Sequence, residues 1–341
     1  MIAAGGDDAG AGNSRLTVRF TLTPRRPYSL ALTAERYTRF PEVVDRFSDG
    51  VYRRLLSVGR GVLVSIAQTG PPSAARLEVQ LDGRLADSPT ARAAALRVAG
   101  VALGASSDVA GFYRAHADDP VLGGAIRAFR GLRVAGVPTL WEALVTAVLA
   151  QQVNLMFAYD IRRELAERYG ARARFFGQTF VGFPPTAPLA SETLPRLLRF
   201  RLSRSKAIAI RSLARAFEEG RLSEEGLSAL PDAEAIERLI ALPGVGRWTA
   251  EIGLLRGLGR PDIFPAGDLG VVKYLAQGLL GHATRAKEDE MRQFSLRWAP
   301  HRSLALVYGY AELTRRKAAP SPPSTPPRRR PDRESAPSRK R

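Results

Sequence analysis

Residues 242–269 read LPGVGRWTAEIGLLRGLGRPDIFPAGDL. The stretch opens on a glycine-bracketed turn between two apolar helices. Upstream, Asp232 is a natural N-cap, and Ile236, Leu239 and Ile240 follow as an i, i+3, i+4 stripe. Pro243 and Gly244 stop that helix. Gly244 and Gly246 can adopt positive φ and bring bare main-chain N–H groups to the surface, where a phosphate can approach. Residues 247–258 read as the second helix, with Ile252, Leu255 and Leu258 as its apolar series. The main-chain groups from Gly244 through Val245, Gly246 and Arg247 to Thr249 are therefore the candidate anion-binding set.

Two helices joined by such a turn form a helix-hairpin-helix, a module that grips a nucleic-acid backbone through amides without reading bases. Asp268 stands 20 residues beyond Trp248, after the loop 259–267 and ahead of the apolar series Leu269, Val272, Leu275 and Leu279. Alone, an Asp in front of an apolar helix reads as an N-cap. Hairpin and Asp at this spacing together resemble the helix-hairpin-helix DNA glycosylase superfamily, most closely its 3-methyladenine DNA glycosylase II branch. The resemblance covers residues 15–315 and includes YRRLLSVG at 52–59, AQQV at 150–153 and WAPHRSLALVYGY at 298–310.

The formal charge is +18, with a pI near 11.0, which points to a polyanionic partner. Ten basic residues from Arg315 onward stand against Asp332 and Glu334, a net +8, so the rest of the chain keeps +10. Cysteine is absent, which removes disulfides and any four-cysteine iron–sulfur cluster. His116, His282 and His301 have no metal-ligand spacing. No signal segment and no run of 18 apolar residues occurs, so the expectation is a soluble, cytoplasmic (nucleoid-associated) monomer that does not enter membranes.

Residues 1–13 are Gly-rich and read as disordered. Leu16, Val18, Phe20 and Leu22 alternate with polar residues as a strand; further strands are expected at 51–56, 62–66 and 77–81, with helices at 33–40 and 89–103. Together they make a small antiparallel α+β domain, residues 14–105, with a structural role. Strand patterns largely vanish beyond Asp108, and residues 106–318 read as a mostly α-helical domain. Thr139 and Glu142 are read as a capping box, Asn154 starts a helix that Gly170 stops, and helices are expected at 191–200, 205–219, 268–280, 287–298 and 301–316. Residues 319–341 are a Pro- and Arg-rich tail, read as disordered and basic.

The resemblance implies duplex DNA with damaged bases as partner, with the lesion flipped into a pocket at a cost of a few kcal/mol. A cationic N-alkylated purine leaves as a neutral base. The charge then develops on the sugar, and a carboxylate beside C1′ stabilises it. The resemblance assigns that carboxylate to Asp268, where a helix N-terminus favours negative charge. It assigns pocket lining to Trp248 and Tyr310, and an intercalating wedge to Gln152. The branch often has aromatics where this chain has Ile252 and Leu269. Members that also cut the backbone use a lysine at the position of Trp248, so no lyase activity is expected. Some members hold Na+ or K+ through backbone carbonyls, here those of Ile240, Leu242 and Val245; no other cofactor is implied. The alternatives are a glycosylase for another damaged base and a non-catalytic DNA-binding protein.

Overall fold

The structure is a computed structural model that describes residues 16–40 and 42–318. The expected disordered segment 1–13 and tail 319–341 lie outside the described residues. Five antiparallel strands, β1 (Leu16–Leu22), β2 (Asp45–Ser48), β3 (Val51–Leu56), β4 (Val62–Thr69) and β5 (Arg76–Gly83), form one sheet in the order β1-β5-β4-β3-β2. Period-two alternation sends Val62, Val64, Ile66, Leu77, Val79 and Leu81 to one face, where they are buried. Between β1 and β2 lie α1 (Leu30–Ala34) and a 3₁₀ turn, Glu35–Thr38, instead of the single helix expected at 33–40. After the sheet, α2 (Pro89–Arg97) runs into a π-helical turn, Val98–Ala102.

The remainder is helical: α3 (Ala110–His116), α4 (Gly123–Ala128), α5 (Leu140–Ala150), α6 (Leu155–Tyr169), α7 (Thr186–Ser191), α8 (Leu194–Leu198), α9 (Arg204–Glu218), α10 (Glu224–Ser228), α11 (Asp232–Ile240), α12 (Arg247–Gly257), α13 (Ala276–Leu280), α14 (Glu288–Ser295) and α15 (Arg302–Ala318). This is the α+β sheet domain followed by a helical helix-hairpin-helix region that the sequence predicts. Three local readings need correction. Residues 191–200 hold the last residue of α7 and the whole of the short α8, because Pro195 restarts the helix at its first turn. A two-stranded hairpin, β6 (Arg172–Phe175) and β7 (Gln178–Val181), lies inside the helical region. Its Phe175 and Phe180 cluster with Leu55 and Leu63 of the large sheet, so its stability comes from a distant surface.

The third correction concerns Glu142. Thr139 does cap α5, accepting from the Glu142 N–H at 3.2 Å, but the Glu142 carboxylate does not turn back to complete the box. It enters a buried ionic cluster with Arg54 and Arg162, which also hold Asp45 and Glu42. Two charges in need of partners outcompete one N–H. The cluster joins β2 and β3 to α5 and α6.

Candidate active site

The hairpin is assembled by α11 and α12. Asp232 is the first helical residue and not the N-cap; Pro231 holds that position, and Asp232 pairs with Arg260 at 3.2 Å. Proline is pre-organised to begin a helix and needs no donor there. Gly244 has φ +76°, as the turn requires, and a Cβ on it would come within 2.6 Å of the Ala209 Cβ on α9. Gly246 does not use positive φ: at −89° it is the N-cap of α12, and a Cβ there would meet nothing within 4 Å. No side chain caps α12, so its first-turn N–H groups face outward. Val245 and Thr249 are buried, and Arg247 is exposed with its Nε bonded to Glu251 at 3.2 Å. The Thr249 hydroxyl therefore serves the scaffold, and only its main chain is left for a phosphate.

Asp268 sits at the mouth of the next helix. Its main-chain carbonyl accepts from Val271 and Val272, both at 2.9 Å, and its Oδ1 accepts from the Gly270 N–H at 2.8 Å. The helix continues as a π-helical turn, Gly270–Leu275, an irregularity frequent at functional sites. Two aromatic side chains complete the carboxylate's shell. The Trp248 indole Nε1–H donates to Oδ2 at 2.8 Å, and the Tyr310 hydroxyl donates to Oδ1 at 3.1 Å. Burial, and then the Asp268 carboxylate beside it, push the Tyr310 phenol well above the ordinary tyrosine value, so it remains a donor. Trp248, Asp268 and Tyr310 are all half-buried.

Ile252 lies one turn beyond Trp248 on α12 and is half-buried, whereas Leu269 is 55% exposed beside Asp268. Gln152 is exposed with φ +54°, at the tip of the turn between α5 and α6. The carbonyl of Leu242 accepts the Val245 N–H at 3.2 Å. Among the described residues, no three His, Asp or Glu side chains are grouped to hold a metal ion, and no helix is long and apolar enough to cross a membrane.

Four site residues escaped the sequence reading. Gln151 donates through Nε2 to the Gly244 carbonyl at 3.0 Å and to the Thr249 hydroxyl at 2.9 Å, tying the α5–α6 turn to the hairpin. Gly270 permits the Tyr310 contact, since a Cβ there would lie 2.1 Å from the Tyr310 hydroxyl. Arg256 continues the Trp248, Ile252 series on α12, and Arg36 comes from the sheet domain; both act electrostatically on Tyr310. Arg256 left a trace in the sequence as the next member of a four-residue spacing, and Gln151 as part of AQQV at 150–153.

A helix-hairpin-helix with bare amides thus stands beside a half-buried carboxylate in an aromatic shell, as the sequence reading expects. Residues 145–301 match the HhH-GPD superfamily base excision DNA repair protein family. The chain is 34% identical over 202 residues to the DNA-3-methyladenine glycosylase of Bacillus subtilis (strain 168), covering 59% of this chain and 66% of that protein. It therefore spans a little under two-thirds of that relative. It is 29% identical over 300 residues to DNA-3-methyladenine glycosylase 2 of Escherichia coli (strain K12), covering 85% of this chain and 95% of that protein. The fold matches the solved 3-methyladenine DNA-glycosylase from Archaeoglobus fulgidus with a TM-score of 0.73 at 24% identity, over 88% of this chain and all of that one.

Proposed function

We propose that the protein is a monofunctional DNA glycosylase that hydrolyses the N-glycosidic bond of alkylated bases, 3-methyladenine type, in duplex DNA. The observation that supports this most directly is the Asp268 carboxylate, held by the Trp248 indole and the Gly270 N–H beside the hairpin. The hairpin amides bind the backbone, Gln152 enters the gap left by the flipped nucleotide, and the lesion rests against Trp248 and Tyr310. A cation over an aromatic face gains about 0.5 to 2 kcal/mol, which favours a cationic lesion there. As the base leaves, Asp268 stabilises the oxocarbenium-like sugar from a fixed position and orients the attacking water.

Trp248 stands where a Schiff-base lysine would, and the Lys273 ammonium lies over the Tyr274 ring, 5.4 Å from its centre. Both support hydrolysis without strand cleavage. The carbonyls of Ile240, Leu242 and Val245 would hold a monovalent cation; the Leu242 oxygen accepts one N–H and keeps a second lone pair for it. Such an ion would add positive charge next to the bound phosphate.

The test is release of free base from methylated duplex DNA, followed by chromatography, with wild type and Asp268→Asn side by side. Wild type should release alkylated base and the variant at least a hundredfold less. Equal rates would sink the reading.

A further inference from the structure

The five-stranded sheet turns one face away from its own core. On that face the register carries a single row across all the strands, Arg19, Gln80, Ser65, Arg53 and Arg46, each opposite the next from β1 to β2. Neighbours along a strand point to opposite faces, so the row lies on the side away from the buried Val64, Ile66, Val79 and Leu81. Its members are exposed or half-buried. The β6–β7 hairpin borders the same face, with Phe175 and Phe180 on Leu55 and Leu63, two residues along from Arg53 and Ser65. Arg46 Nη2 donates to the Thr179 carbonyl at 2.7 Å, and its guanidinium lies 4.6 Å from the centre of the Phe180 ring. Thr179 pairs with Arg174 across the hairpin, and Arg174 Nη2 donates to the Gly177 carbonyl at 3.2 Å. The basic row therefore continues through Arg46 to Arg174 and ends at the turn that holds Phe176.

Two features here run against the stability of the fold. Arg46 and Arg53 stand directly opposite each other, where like charges are unfavourable. Charge at Arg46 can blunt the edge strand β2, but Arg53 lies on the interior strand β3, where no edge needs protection. Among the described residues, Arg46, Arg53 and Arg174 form no ion pair; Arg46 and Arg174 bond to carbonyls. Burial alone lowers the Arg46 guanidinium from its ordinary value, and no carboxylate acts against it. The second feature is the turn. Phe176 and Gly177 have φ +50° and +77°, the two-residue conformation in which Asn-Gly is preferred and a bulky side chain is disfavoured. Phe176 is nevertheless held 65% exposed, more than any other large apolar side chain among the described residues.

We propose that this face is a second nucleic-acid surface, on which a single strand of DNA lies with its phosphates along Arg53, Arg46 and Arg174 and an unpaired base stacked on Phe176. A duplex would use the arginines and leave the ring idle, because its base faces are hidden. A single strand offers both charge and open π-faces, the combination that strand-binding surfaces select. The surface is separate from the turn between α11 and α12. From the Gln152 turn, α6 runs 15 residues, about 22 Å, before β6 begins, so both surfaces can be filled at once. The inference does not depend on the base-excision reading, and it gives the sheet domain a role beyond support.

The experiment follows the fluorescence anisotropy of a labelled oligo-dT strand titrated with the full chain, in excess unlabelled duplex containing an abasic site. Wild type should still capture the strand. Arg53→Gln combined with Arg174→Gln should weaken capture about tenfold or more, and should flatten the dependence of log affinity on log salt by about 0.7 per arginine. Phe176→Asn should weaken capture about threefold or more at an unchanged salt slope. It should melt no lower than wild type, because Asn-Gly suits the turn. All variants should release 3-methyladenine from duplex DNA at the wild-type rate. The proposal is overturned if both variants capture the strand as wild type does, or if the duplex displaces the strand from wild type. It is also overturned if a polyglutamate peptide binds wild type as tightly and weakens equally in Phe176→Asn, which would make the partner an acidic protein.

Discussion

Trp248 lies on α12 and Asp268 at the mouth of the helix that follows, and the indole N–H of one donates to the carboxylate of the other at 2.8 Å. The indole edge fixes Oδ2, and on the proposed reading its ring also walls the base pocket. Replacing it with phenylalanine keeps much of the wall and removes the donor. A hydrogen bond to a charged group contributes about 1.5 to 3 kcal/mol, so Trp248→Phe should slow single-turnover base release by roughly 10- to 100-fold. Affinity for DNA containing an abasic site should change little. A variant as fast as wild type would show that the indole does not position Asp268.

Gly270 tests the other oxygen. Its added Cβ would collide with the Tyr310 hydroxyl at 2.1 Å and approach the Asp268 Oδ1 at 2.9 Å. Gly270→Ala should therefore displace Tyr310 from the carboxylate and lower base release more than tenfold, although Ala favours a helix over Gly by about 1 kcal/mol. The melting temperature decides between the two effects. A variant that is as stable as wild type but slow supports the contact; full activity would remove Tyr310 from the catalytic arrangement.

The hairpin and Asp268 were legible because they are local: glycine and proline mark the turn, and the Asp stands at a helix start. Trp248 and Tyr310 became legible only through a motif, since nothing in the sequence says which face of α12 or α15 meets Asp268. What escaped is long-range. Gln151 reaches a carbonyl 93 residues away. Arg36 belongs to the sheet domain, which reads as structural because its strands alternate normally, yet its 3₁₀ turn supplies a side chain to the cleft. Glu142 illustrates the same limit, since local capping chemistry fits it and two distant arginines claim it. The β6–β7 strands have four residues each and are held by a surface more than 100 residues earlier in the chain.

The two hairpin glycines should separate folding from DNA binding. Gly244→Ala places a Cβ 2.6 Å from Ala209 on a residue with φ +76°, and should cost about 1 to 3 kcal/mol of stability. Gly246→Ala has φ −89° and open space around it, so the protein should unfold at the wild-type temperature. Its Cβ would add bulk at the N-cap of α12, where the turn is open, and affinity for duplex DNA should fall several-fold with a shallower salt dependence. Wild-type DNA affinity in Gly246→Ala would exclude this turn as the phosphate grip.

Arg162 and Arg54 govern stability in acid. Against the cost of burial, these two arginines hold the Asp45 carboxyl below its ordinary value. Because its folded value is depressed, Asp45 contributes stability above about pH 4, and that contribution disappears as pH falls below it. Burial pushes Glu42 the other way, so Glu42 does not add to this loss. Arg162→Met leaves Glu42, Glu142 and Asp45 short of a partner and should cost about 3 to 5 kcal/mol at neutral pH. Chemical denaturation at pH 7 and pH 3.5 measures both: the variant's deficit should shrink in acid. A deficit unchanged between the two pH values would mean that the cluster is not held by charge.

Gln151 and Gln152 are neighbours with opposite duties, and substitution should tell them apart. Gln151 faces inward and binds the Gly244 carbonyl and the Thr249 hydroxyl, so it fixes where the α5–α6 turn stands relative to the hairpin. Gln152 is exposed at φ +54°, and on the proposed reading it is the residue that enters DNA. Gln151→Leu removes two bonds, worth about 1 kcal/mol each, and should lower both the melting temperature and DNA affinity. Gln152→Ala should leave the melting temperature within a degree or two and act on flipping alone. A fluorescent base analogue placed next to the lesion brightens when it unstacks, and its amplitude should drop in Gln152→Ala at saturating protein. If Gln152→Ala flips as fully as wild type while Gln151→Leu binds DNA normally but fails to flip, the two roles are reversed and Gln151 is the wedge.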